Sequence, residues 1–166
     1  MNKDSNTLII AEADRQELFI VREFNAPRER VFEAFSNPEI LKEFYAPLGV
    51  KLVFKYADFR NGGSYCWSHI DAAGNLYCTF KGVIHEIAYP ERIIQTVEME
   101  GLPEDGHVLL EIFIFEELET NRTKLSIQDV FRSVADRDEM IKSGFESGVF
   151  EIFGQLDNLL KNSTNE

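Results

Sequence analysis

The chain has 166 residues, 44% of them hydrophobic and 12% aromatic, and carries a formal net charge of −12. A chain of this length is expected to form one domain and to bury roughly 70% of the surface its unfolded form exposes. The charge argues against nucleic acid, whose phosphates would repel it, and against anionic membrane surfaces.

No run approaches the roughly 20 apolar residues needed to cross a bilayer. Residues 1–6, Met-Asn-Lys-Asp-Ser-Asn, lack the apolar segment of a secretory signal. The expected location is the cytoplasm, where Cys66 and Cys78 would stay reduced.

In chain order, residues 1–15 read as an N-terminal extension with a frayed start and a short extra strand within Thr7–Glu12. Gln16–Asn25 alternates apolar and polar residues, the period of a strand. Pro27 then opens a helix as its first residue, where the missing N–H costs nothing. Val31, Ala34 and Phe35 form its apolar stripe. Asn37 precedes Pro38 and is pushed out of helical geometry, so that helix stops near Ser36. Asn37 then caps a second short helix carrying Ile40, Leu41, Phe44 and Tyr45. Strands follow at Val50–Tyr56, Ser64–Ile70, Asn75–Ile87, Glu91–Met99, His107–Glu117 and Arg122–Phe131, each bounded by turn residues. One of the intervening loops is Leu118-Glu119-Thr120-Asn121. From Asp136 to Leu160 the apolar residues recur at helical spacing, and about 24 residues would span roughly 36 Å, enough to cross a sheet. Gly144, Gly148 and Gly154 interrupt that pattern, each at a cost of up to about 1 kcal/mol relative to alanine. Residues 161–166 form a polar tail. The order predicts an α+β fold: a curved antiparallel sheet of about six or seven strands wrapped on a long C-terminal helix, with two short helices after the first strand.

Strand parity separates the faces of this sheet. With Asp71–Gly74 as a four-residue loop, Tyr65 opposes Phe80, Trp67 opposes Cys78 and His69 opposes Leu76, and all six share the inner face. Phe113, Phe115, Leu125, Ile127, Asp129 and Phe131 share the inner face of the later hairpin. Ile112 and Ile114 then point outward, toward the N-terminal extension or a partner subunit. An aromatic interior of this kind suits a filled core or a ligand cavity.

Several segments carry a family resemblance: Phe24-Asn25-Ala26-Pro27-Arg28-Glu29-Arg30-Val31-Phe32, Asn37-Pro38-Glu39-Ile40-Leu41, Asp58-Phe59-Arg60-Asn61-Gly62-Gly63, Gly82-Val83-Ile84-His85 with Pro90-Glu91-Arg92-Ile93, and Ser143-Gly144-Phe145-Glu146-Ser147-Gly148-Val149. In this order they resemble the START-like helix-grip (SRPBCC) superfamily, and within it the bacterial relatives of the C-terminal domain of the Hsp90 ATPase activator. The resemblance covers residues 16–160. It implies a deep cavity between the sheet and the long helix for apolar or amphipathic molecules. Two departures stand out: Phe44 and Tyr45 replace a pair of tryptophans, and Val149 replaces a tryptophan that usually follows the glycine.

The resulting expectation is a small-molecule binding protein. Its ligand set is Phe35, Phe44, Tyr65, Trp67, His69, Cys78, Phe80, Phe113, Ile127, Asp129, Phe145, Val149 and Phe153. His69 and Asp129 are the inward polar groups, and Phe35 and Phe44 stand at the edge of the mouth. Alternatives are an Hsp90-activator-like interaction module, with a chaperone partner or self-association, and a cyclase or hydrolase of small molecules. No catalytic residue, metal site or cofactor is assigned. His69, His85 and His107 share no ligand spacing, and phosphate loops, nucleophile elbows and dinucleotide fingerprints are missing.

Overall fold

A computed structural model of the chain describes residues 6–119 and 121–163. Most of the frayed start, Thr120 of the hairpin loop and the last three residues of the polar tail lie outside the described residues. Eight strands form one antiparallel sheet: β1 (Thr7–Ile10), β2 (Glu17–Phe24), β3 (Val50–Ala57), β4 (Ser64–Asp71), β5 (Leu76–Ala88), β6 (Arg92–Met99), β7 (Val108–Leu118) and β8 (Arg122–Val130). Their order across the sheet is β1-β2-β8-β7-β6-β5-β4-β3. This exceeds the expected six or seven strands.

Four helices complete the fold: α1 (Arg28–Ser36), α2 (Pro38–Phe44), α3 (Val134–Lys142) and α4 (Phe145–Asn162). The C-terminal segment is therefore two helices rather than one. Gly144 separates them at φ +90°, a left-handed conformation that glycine adopts without a Cβ clash. Pro27 is also displaced by one position from expectation. It precedes the first helical residue, Arg28, and its ψ of 147° is extended.

The β2-to-α1 joint is held from β8: buried Thr123 donates from Oγ1 to the Ala26 carbonyl at 2.7 Å. At the start of α2, Asn37 Oδ1 accepts from the Glu39 amide at 3.0 Å and Pro38 occupies the first turn. Asn37→Ala should therefore lower stability by about 1 kcal/mol in urea denaturation. An unchanged midpoint would show that the cap contributes nothing.

The concave face of the sheet packs on α1, α2 and α4. Leu18, Phe24, Phe32, Phe115, Leu125 and Leu156 are fully buried there. Four tethers hold α4. Gln155 Nε2 donates to the Ala46 carbonyl at 2.7 Å, and Glu151 Oε2 accepts from the Leu48 amide at 3.1 Å. Arg30 donates to the Leu160 carbonyl at 2.9 Å. Buried Arg22, on β2, pairs with Asp157 and lies 5.4 Å from the Phe24 ring centroid.

The β4–β5 hairpin departs from its expected register. The Asp71 amide donates to the Asn75 carbonyl at 3.0 Å, so the turn holds three residues, with Gly74 at φ +86°. A bulge then separates the His69–Cys78 pair from the Ile70–Leu76 pair. Trp67 opposes Phe80 and Tyr65 opposes Gly82. Leu76, expected on the inner face, is exposed.

Candidate ligand cavity

Each of β6, β7 and β8 sends alternate residues to the concave face. On β7 these include Glu111, Phe113 and Phe115; on β8, Leu125, Ile127 and Asp129. Register places Asp129 opposite Glu111 and Glu111 opposite Gln95. The same row continues to Leu18 on one side and Ile84 on the other, both buried and apolar. Three polar side chains thus stand side by side in the middle of an apolar row.

This row borders a cavity of about 220 Å³ between the sheet and α4. Its sheet wall is formed by Ile20, Trp67, His69, Phe80, Val97, Leu109, Glu111, Ile127, Asp129 and Phe131. Its helical wall is formed by Tyr45, Met140, Phe145, Gly148, Val149, Ile152 and Phe153. A second, outer groove of about 360 Å³ shares Phe80, Val97, Leu109, Phe131 and Met140 with it. Met99, Leu102, Pro103, His107 and Glu139 extend that groove outward. The cavity thus adjoins the groove beside α3.

Of the thirteen expected ligand residues, eight line the cavity: Trp67, His69, Phe80, Ile127, Asp129, Phe145, Val149 and Phe153. Five do not. Phe35 and Phe44 are buried in the core in edge contact at 5.4 Å, so neither stands at a mouth. Phe35 and Phe113 border a separate void of about 10 Å³. Tyr65 is fully buried behind Trp67, its ring stacked on the indole at 4.8 Å. Cys78 sits behind His69, with Sγ 3.5 Å from Nδ1. Both cysteines are free, and burial raises the pKa of each thiol. Sequence reasoning passed over Glu111, Tyr45, Met140 and Ile152. Glu111 shares the strand parity of Phe113, which gives its face, and its neighbours across the sheet are Gln95 and Asp129.

The polar groups of the cavity are incompletely satisfied. Gln95 Nε2 donates to Glu111 Oε2 at 2.7 Å. Asp129 Oδ1, Trp67 Nε1 and His69 Nε2 are buried and have no hydrogen-bond partner among the described residues. Burial pushes the Glu111 carboxyl up to about 7, against the downward pull of the Gln95 amide. Burial first, and the neighbouring Glu111 charge second, push Asp129 well above the usual carboxylate range. Burial lowers the His69 pKa, with a weaker upward pull from the Tyr45 backbone, so its ring is neutral at pH 7. Burial and the two carboxyls raise Tyr45, which stays a phenol. Two acids in an apolar cavity retain at least one proton near neutral pH. Among the described residues, no three His, Cys, Asp or Glu side chains are placed to hold a metal ion. No described helix is long and apolar enough to cross a membrane.

Known proteins share this architecture. The sequence model of the family described as activator of Hsp90 ATPase homolog 1-like protein matches residues 25–161. The solution NMR structure of a protein from Arthrobacter aurescens is 24% identical, with a TM-score of 0.83 over 93% of this chain and 91% of that one. A crystal structure from Rhodobacter sphaeroides is 20% identical, with a TM-score of 0.83 over 95% of this chain and 99% of that one. The AHSA1 protein from Silicibacter pomeroyi is 18% identical, with a TM-score of 0.72 over 89% of this chain and 99% of that one. At these identities the likeness is one of fold. No curated protein matches the chain.

Proposed function

The chain belongs to the activator of Hsp90 ATPase homolog 1-like family, and from that premise we propose that residues 16–160 form a binding protein for a small, largely aromatic molecule. The observation that carries this reading is the cavity of about 220 Å³, apolar apart from a few convergent polar groups. An engineered apolar cavity of about 150 Å³ holds benzene, so this one has room for a one- or two-ring ligand. Trp67, Phe80, Phe145, Val149 and Phe153 provide the apolar contact; His69 and Asp129 orient polar atoms. The setting we propose is cytoplasmic.

Val149 is the position from which to test it. It lines the helical wall, and a larger side chain there would enter the cavity. Naphthol should bind the native protein, shifting NMR signals of the cavity residues. Val149→Trp should weaken that binding at least tenfold while leaving the fold intact. Failure of naphthol to perturb any cavity residue would remove the proposal.

One observation favours a second reading, a cyclase or hydrolase of small molecules. Glu111 and Asp129 are adjacent carboxyls with raised proton affinity inside a cavity, a setting suited to general acid–base work. Turnover of a bound compound that is lost in both Glu111→Gln and Asp129→Asn would favour it. The family description points instead to a chaperone ATPase. The surface offers that reading less: Ile112 and Ile114, which alternate with buried Phe113 and Phe115, are half-buried rather than prominent.

A further inference from the structure

Among the described residues, the cavity contains two acids, and its one histidine, His69, is a neutral ring. Among the described residues, neither Lys nor Arg lines it or the outer groove. Arg22 and Arg137 are buried elsewhere, on Asp157 and on Asp138 with the Glu12 carbonyl. Gln95 satisfies one oxygen of Glu111, whereas Asp129 Oδ1 is buried and without a partner among the described residues. We propose, resting on the binding reading above, that the occupant is an arylalkylamine whose ammonium group docks between Glu111 and Asp129 while its ring lies against Trp67 and Phe80.

Charge balance favours this occupant over its alternatives. A carboxyl pair holding one proton has a net charge of −1, and a single ammonium neutralises it inside the apolar enclosure. A carboxylate ligand would bring a second anion into a site with no cation, at a large desolvation cost. A neutral alcohol could donate to Asp129 but would leave the charge uncompensated. An ammonium supplies three donors, enough for Asp129 Oδ1 and the Glu111 carboxyl together. Trp67, edge-on to Tyr45 at 5.9 Å, adds an aromatic face to the same enclosure. The other titratable groups facing the pair are Tyr45 from the end of α2 and Tyr65 and His69 from β4, with Cys78 of β5 behind His69. None of them is a cation at neutral pH.

Three indoles that differ only in the terminal group provide the test: tryptamine, tryptophol and indoleacetate, titrated into the full chain by calorimetry. At pH 8 tryptamine should bind at least tenfold more tightly than tryptophol, with indoleacetate weakest. Tryptamine should weaken several-fold between pH 8 and pH 5.5, as the pair takes up its second proton, while tryptophol stays level. In the Glu111→Gln, Asp129→Asn double variant the preference for the amine should disappear and tryptophol should still bind, which also reports that the variant is folded. Tryptophol binding as well as tryptamine overturns the amine proposal and leaves the cavity reading intact. So does an amine preference that survives in the double variant, because the charge then lies elsewhere. If none of the three indoles binds, the amine proposal fails, and the naphthol experiment decides separately whether the cavity reading fails with it.

Discussion

Replacing Glu111 with Gln should make the protein more stable at pH 8, by about 3 kcal/mol, and leave it nearly unchanged at pH 4. The native carboxyl is held at about 7, above the 4.5 of an ordinary glutamate. Between those values the unfolded chain gives up a proton that the folded chain keeps. Stability therefore falls as pH rises through this window and levels off above about 7. A shift of this size corresponds to about 3 kcal/mol. Gln at 111 keeps an oxygen to accept from the Gln95 amide, so the hydrogen bond survives while the charge is removed. It also removes the anion that raises Asp129, so Asp129→Asn should change stability in the same direction. Urea unfolding of native and variant protein at pH 4 and pH 8 measures the effect. Parallel pH profiles for the two proteins would refute it. A residue whose removal stabilises the empty protein has been retained at a cost, which is the pattern expected of a group kept for its ligand.

Gly82→Ala should destabilise the protein by about 3 kcal/mol. A Cβ built at this position would lie 1.8 Å from the Thr96 carbonyl oxygen and 2.5 Å from the Tyr65 hydroxyl. Those two atoms are joined by a hydrogen bond of 2.6 Å, donated by the tyrosine. The methyl group cannot be accommodated by a flexible side chain, because the nearest obstacle is backbone of the adjacent strand β6. Overpacking of this kind costs about 1–3 kcal/mol, and loss of the buried hydrogen bond adds roughly 1. Tyr65→Phe serves as the reference: it breaks the hydrogen bond without the clash and should cost only about 1 kcal/mol. Equal losses for the two variants would mean that the strand yields to the methyl group. Tyr65 stacks on Trp67, which lines the cavity, so Gly82→Ala should also weaken naphthol binding.

The sequence pattern carried the fold and eight of the seventeen residues that line the cavity, for reasons visible in single strands. Parity placed Trp67, His69 and Phe80 together despite a wrong register. The turn is one residue shorter than expected, which moves the pairing by one. The bulge next to His69 moves it by one more. Two single-residue errors restore the original faces, and only Leu76, lying between turn and bulge, ends up misplaced. Asp129 was found because it follows Leu125 and Ile127 on one face. Glu111 obeys the same rule two residues ahead of Phe113, yet a lone carboxylate within an apolar strand is ordinarily assigned to solvent. Its burial depends on its neighbours in β6 and β8, which local pattern does not encode. The mouth was legible least. Phe35 and Phe44 have the spacing of either a rim or a core, and their buried edge contact decides for the core.

The break at Gly144 divides the labour of the C-terminal segment. α4 forms the floor of the cavity and is riveted by Gln155, Asp157, Glu151 and the Leu160 carbonyl to three other parts of the chain, the loop after α2, β2 and α1. α3 carries the threshold: its Met140 belongs to both the inner cavity and the outer groove. One unbroken helix would have made floor and threshold a single rigid beam, and any movement admitting a guest would have pulled on the rivets. Under the binding reading proposed above, the glycine joint would let a guest cross the threshold without loosening the floor, and the rate of exchange and the tightness of grip would be set by different residues.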